Sequence, residues 1–157
     1  MKMKNRDIHF RAKSATPEID GNEWFYGSYY KTAKTTYCFT NDCEAHSDNI
    51  EHYILFDMMT DWGLPNKKLR VDINPDTLCE YTQMHDKKNQ RIYEGSIVQT
   101  EYETKEDRFV VVWDDNFAGF VIKGYDILDA LSAQQVEVIG NIIDNPELLP
   151  KEDKYEE

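Results

Sequence analysis

YTQMHDKKNQRIYEGSIV, residues Tyr81 to Val98, is the stretch on which the reading of this chain turns. It joins a polar turn (His85–Gln90), a charged approach (Arg91–Gly95) and the start of an apolar alternation (Ser96–Val98). Asp86, Lys87, Lys88, Asn89 and Gln90 read as an exposed turn, because such residues supply turn geometry and solvation together. Gly95 then opens a strand over Ser96–Tyr102, in which Ile97 alternates against Val98 and Gln99.

Downstream, RFVVVW (Arg108–Trp113) is β-branched and aromatic throughout and is the clearest strand in the chain. Asp114-Asp115-Asn116 is its turn and Phe117–Lys123 its return strand. Ile127, Leu128 and Leu131 stand at helical spacing, so Asp126–Ala133 is expected as a short helix. Val136–Ile142 closes the set as a strand. Asn145-Pro146 starts a capped helical turn, and residues 151–157 are a charged tail.

Upstream, Ile8 and Phe10 alternate with His9 and Arg11, and WFYGSYY (Trp24–Tyr30) is β-prone around Gly27. These predict a hairpin of Asp7–Arg11 with Glu23–Lys31, turning at Asp20-Gly21. A glycine inside an aromatic strand points to a bulge or a close backbone approach. Lys34–Phe39 is a further β-prone run, and Thr40–Asn49 is a polar loop. Ile50–Met59 suits a strand or a short helix, and Thr60–Lys68 is a loop. Leu69–Ile73 is a short strand, followed by Asn74 as an N-cap and Pro75 at the first helical position. The fold class is therefore mainly β with minor α. An N-terminal hairpin region (1–72) precedes a C-terminal half (73–150), in which Glu80–Ile143 is expected to close as a small five-stranded barrel.

Composition narrows the function classes. The 157 residues carry a net charge of −12, with ten Tyr, seven Phe and three Trp. Lys/Arg and Asp/Glu balance at ten each through Arg70; from Val71 onward there are eight against twenty. An acidic C-terminal half repels phosphates and disfavours non-specific nucleic-acid binding. The charged start MKMKNRDIHFRAK has no apolar core after it, and no apolar run reaches membrane length, so a cytoplasmic location is expected. Three cysteines form no disulfide framework, which suits a reducing compartment.

The middle block resembles the YopX family of bacteriophage and prophage proteins. The likeness rests on IHFRA (Ile8–Ala12), EWFYGSYY (Glu23–Tyr30), VDINPDTLCEYTQMHDKKNQRIYEGSIV (Val71–Val98) and EVIGNIIDNPELL (Glu137–Leu149). The segment from Asp86 to Val98 carries it most specifically. The family usually has Gly where this chain has Gln83, Asn-Gly where it has Asn89-Gln90, and Asp where it has Ser96. Gln90 at a turn position often held by Gly implies a different turn type or a looser loop. The resemblance implies an SH3-type barrel for the C-terminal half, a phage or prophage origin and the bacterial host cytoplasm. It implies no activity.

Candidate sites are few. Cys38, Cys43, His46 and His52 offer four zinc-type ligands, but at irregular spacing; ordinary packing is the simpler reading, and no metal or other cofactor is expected. Asp57, Asp61, Asp114 and Asp115 have the chemistry of a magnesium or acid–base site, but Asp114 and Asp115 sit between two strong strands where a turn needs such residues, and turn chemistry is the preferred reading. Cys79 with His85, or Cys38 with His46, are arithmetically possible nucleophile pairs without a surrounding signature. There is no phosphate loop, serine elbow or HExxH helix, so enzymatic activity is not expected. Trp24, Phe25, Tyr26, Tyr29 and Tyr30 are the expected interaction surface, although a strand sends alternate residues to opposite faces. Lys31 and Lys34 beside them raise single-strand stacking as the alternative. The expected role is a non-enzymatic accessory protein that binds a host or phage protein or forms a homo-oligomer. The alternative is nucleic-acid-linked, either through the aromatic hairpin or through an acidic surface that competes with DNA for a host protein.

Overall fold

The computed structural model describes residues 5–35, 49–100, 108–123, 128–130 and 135–149. The chain is mainly β, and its strands pair into two antiparallel sheets. Contacts divide it into two compact units, Ile8–Cys79 and Met1–Asp7 with Glu80–Glu157.

In the first unit, β1 (Phe10–Lys13), β2 (Trp24–Ala33), β3 (Ile50–Met58) and β4 (Lys67–Asp72) lie in the order β4-β3-β2-β1. The expected first hairpin forms, in the register Phe10 opposite Gly27 and Lys13 opposite Trp24. Its connection is not a two-residue Asp-Gly turn. A helical turn, α1 (Pro17–Asp20), intervenes, and Gly21 ends it at φ 75°. Ser14 Oγ and Thr16 Oγ1 both donate to the Asp20 carboxylate, at 2.6 and 2.9 Å, which fixes that turn and holds the acid below its ordinary pKa. Ile50–Met58 resolves as strand, because Ile54 and Phe56 point into a core with Ala12, Val71, Ile73, Phe10 and Phe25. Asn74 caps the 3-10 turn Pro75–Thr77 as expected, accepting from Asp76 N at 3.0 Å. Thr77 Oγ1 in turn accepts from Lys13 N at 2.9 Å, so this turn belongs with β1.

In the second unit, β5 (Cys79–His85) and β6 (Arg91–Tyr93) form a hairpin around the signature turn. A five-stranded sheet follows: β7 (Ser96–Thr100), β8 (Arg108–Asp114), β9 (Gly119–Lys123), β10 (Leu128–Ala130) and β11 (Val136–Asn141), in the order β10-β9-β8-β7-β11. Its core is Ile92, Val98, Phe109, Val111, Ile122 and Val136. Burying each such side chain contributes about 1.5–3 kcal/mol.

Three expectations are corrected here. The segment Leu128–Ala130 is strand, not helix: it pairs antiparallel with Val121–Lys123, and the gain from completing a ladder outweighs helical spacing over so few residues. Asp86 is 5% exposed, so the turn it opens is anchored inward. Finally, the sheet is not a closed barrel among the described residues. Closure would set β10 beside β11, but the side of β11 turned away from β7 is occupied by the signature turn. Lys87 N donates to Val136 O at 3.2 Å, and Val138 N donates to Asp86 Oδ2 at 3.0 Å.

Candidate interaction surface

Alternation along β2 sorts the aromatic cluster onto two faces. Phe25 and Tyr29 pack inward, Phe25 against Phe56 (ring centroids 5.9 Å) and Tyr29 against Phe10 (5.6 Å). Tyr26 and Tyr30 stand outward, 46% and 51% exposed. Trp24 is half-buried under cations, with the Arg11 guanidinium 4.5 Å and the Lys13 ammonium 5.4 Å from its ring. Of the five expected residues, the structure thus places Tyr26 and Tyr30 on an open surface and commits Phe25 and Tyr29 to the core.

Gly27 makes this arrangement possible. β2 pairs with β1 through Gly27 and with β3 from Ser28 onward. Where the ladders change over, the backbone of β3 comes so close that a Cβ on Gly27 would lie 2.0 Å from Leu55 O. The close approach expected from the sequence is present. Beside it the outward face forms a shallow, largely apolar groove of about 740 Å³, lined on that face by Tyr26, Ser28, Leu55, Asp57, Lys68 and Arg70 among others. Register explains the lining: across β3 and β4 Leu55 faces Arg70 and Asp57 faces Lys68 on the outward face, while the intervening pair Phe56 and Leu69 turns toward the core. Arg70 lies over the Tyr53 ring at 4.5 Å, a cation–π contact that holds it flat on the face.

The β3–β4 connection carries a feature the sequence reading passed over as loop. Met59, Trp62 and Leu64 are all exposed there, Trp62 completely. The turn beneath them is built: Thr60 Oγ1 donates to Pro65 O at 2.8 Å, Trp62 N to Asp61 Oδ1 at 2.8 Å and Leu64 N to Asp61 O at 3.1 Å, with Gly63 at φ 80°. Three large apolar groups on so short a loop were the available signal.

The remaining candidates disperse. His52 Nδ1 meets Tyr29 Oη at 2.7 Å, and burial raises the Tyr29 phenol. Cys38, Cys43 and His46, the other members of the zinc set and the second Cys–His pair, lie outside the described residues. Among the described residues no three His, Cys, Asp or Glu side chains converge on a metal position. Asp57 pairs with Lys68 at 2.5 Å, and Asp61 serves its turn. Asp114 Oδ1 accepts from Asn116 N and Phe117 N at 2.9 and 3.0 Å, and Asp115 accepts from Trp113 Nε1 at 2.9 Å, so both do turn work. Cys79 is buried, its thiol donating to Thr77 O at 3.4 Å, while His85 at the other end of β5 meets Tyr81 Oη at 3.2 Å. No helix among the described residues is long and apolar enough to cross a membrane.

The signature turn is structural. The Asp86 carboxylate accepts three backbone amides: Lys88 at 2.9 Å, Gln90 at 2.8 Å and Val138 at 3.0 Å. Burial alone would raise its pKa; the amides of Val138, Gln90 and Lys88 outweigh burial and hold it below the ordinary value. Lys87 and Lys88 both reach Glu137 on β11. The departures from the family pattern fit this frame. Asn89 takes φ 63°, a left-handed conformation Asn tolerates, so Gln90 does not loosen the loop. Gln83, where the family usually has Gly, stands at φ 70°, and its amide both accepts from Asp7 N and donates to Asp7 O. Ser96 Oγ accepts from Tyr93 N at 3.1 Å, an acceptor role Asp would also fill.

Comparison with known proteins completes the picture. No curated protein matches the chain. One similar solved structure is the crystal structure of protein EF1440 from Enterococcus faecalis, at 20% identity and a TM-score of 0.48, covering 91% of this chain and 98% of that one. The model of the family described as YopX protein matches residues 9–150, and the chain belongs to the YopX family.

Proposed function

We propose that this chain is a non-enzymatic accessory protein of phage or prophage origin that acts in the host cytoplasm by binding another protein. The observation that carries the reading is the outward face of β2–β4, where Tyr26, Tyr30 and Leu55 are exposed around an apolar groove while their neighbours Phe25 and Tyr29 are spent on the core. Exposed tyrosines with an arginine beside them are the composition of protein interfaces. Asp57, Asp61, Asp114, Asp115 and Cys79 are engaged in turns, pairs and packing, which supports a binding role over catalysis. The order β10-β9-β8-β7-β11 supports an SH3-type topology for the second unit, left open between β10 and β11. Folds of that kind serve many roles, so the order adds nothing to the function.

The second reading, single-strand binding, has one observation in its favour: Tyr26 and Tyr30 share a face with Arg70 and Lys68. Stacking on tyrosine with flanking cations is how single strands are held without sequence preference. Against it, Lys68 is paired with Asp57 and the chain carries −12. Affinity purification of tagged protein from a bacterial host, with and without nuclease, separates the two. A specific protein retained after nuclease supports the first reading, and recovery that collapses with nuclease supports the second.

A further inference from the structure

We infer that the partner of the first unit's exposed face is a second copy of this chain, with Trp62 of each copy seated in the groove of the other. This deepens the protein-binding reading above and rests on it. The hairpin of β3 and β4 carries both halves of such a contact. At its tip, Met59, Trp62 and Leu64 are displayed on a turn fixed by Thr60, Asp61 and Gly63. A fixed turn loses little entropy on binding, and tryptophan is the strongest anchor of protein interfaces. One to three strand pairs back from the tip lies the groove, open, largely apolar and floored by Leu55 with Tyr26 beside it.

The two halves match in charge as well as in polarity. Asp61 adjoins Trp62, and Arg70 stands exposed in the groove lining, so docking an indole there brings an anion to a cation. The groove centre and the tip are roughly 15–20 Å apart along the hairpin at about 3.3 Å per residue. A two-fold axis between them puts tip against groove twice, and the assembly closes at two copies. A lipid surface fits less well, because Asp61 and Asp57 would enter with the apolar side chains and the whole chain is acidic. The exposed apolar side chains offer on the order of 500 Å² per copy, against roughly 800 Å² in a stable interface, so the dimer is weak, in the micromolar range.

The test is sedimentation velocity of the full chain from about 1 to 300 μM, concentrations that bracket a micromolar dissociation constant. Concentration-dependent dimerisation is expected for the wild type. Trp62→Ala and Leu55→Glu are each expected to weaken it roughly thirtyfold or more, as loss of a hot spot does. Both positions are exposed, and an unchanged thermal midpoint confirms folding. An equimolar mixture of the two variants retains one intact tip-and-groove contact and is expected to dimerise better than either alone. A wild type that stays monomeric throughout, or a dimer indifferent to Trp62→Ala, overturns self-docking. Retention of a different protein on the wild type but not on Trp62→Ala, with the wild type monomeric, would keep the protein-binding reading and discard the second copy; liposome co-sedimentation lost with the same variant would discard both.

Discussion

Replacing Asp86 by Ala removes the acceptor for three backbone amides at 2.8–3.0 Å. Hydrogen bonds to a charged group contribute about 1.5–3 kcal/mol each. They share one carboxylate, so they do not add in full, and the Lys88 and Gln90 amides lie in an otherwise exposed turn that water can reach. Val138 N lies on β11 and has no comparable substitute. The expected loss is therefore about 3–5 kcal/mol, a fall in midpoint of about 10 °C for a chain of this length. Asp86→Asn should lose less, about 2–3 kcal/mol: one amide oxygen still serves the turn, but the new NH₂ meets Val138 N–H donor to donor. The pH dependence gives an independent check. The folded pKa lies below the unfolded one, so this stability is present above about pH 4 and disappears as pH falls through the folded pKa. Urea unfolding followed by far-UV dichroism at several pH values, with hydrogen exchange at the Val138 amide, measures both. A loss under 1 kcal/mol in Asp86→Ala, or an unchanged acid limb in Asp86→Asn, would refute the account of the turn.

Gly27→Ala should destabilise the first unit by about 2–4 kcal/mol, because a Cβ 2.0 Å from Leu55 O forces β2 and β3 apart; chemical unfolding measures it. Ala118→Gly should stabilise by about 0.5–1 kcal/mol, since Ala118 sits at φ 48° in an exposed turn and relief of left-handed strain exceeds the added chain entropy; a rise in thermal midpoint checks this. Glu94 has its pKa raised by burial, against the Trp113 amide, with Glu80 adding to the rise. Its folded pKa exceeds the unfolded one, so it favours folding below the unfolded pKa and loses that contribution as pH rises through the folded value. Glu94→Gln should therefore raise the midpoint at neutral pH and flatten the dependence just above pH 4, readable by differential scanning calorimetry.

How far the sequence was legible depended on how local each signal was. RFVVVW became β8 because β-branched and aromatic residues permit little else, and Asn74-Pro75 capped its turn for purely local reasons. Gly27 was legible as a close approach, though not the strand it would approach. Tertiary context decided the rest. Leu128–Ala130 is strand because Val121–Lys123 offers it a ladder. Asp86 looked like any solvated turn residue, since the amide that buries it comes from Val138, far along the chain. The aromatic cluster was legible as a mixture of core and surface by alternation alone, and the register then assigned Tyr26 and Tyr30 outward. The tip at Trp62 was missed because its composition reads as a loop, and only the folded structure reveals that nothing among the described residues covers it.

The bond from Val138 N to Asp86 spans 52 residues of chain. Contacts of such separation form late, after the intervening meander has already given up its freedom. Asp86 should therefore be a residue of low φ-value: its removal would leave the refolding rate nearly unchanged and accelerate unfolding by almost the whole of its equilibrium effect. The signature turn then acts as a latch on a sheet already assembled, and what it sets is the lifetime of the native state.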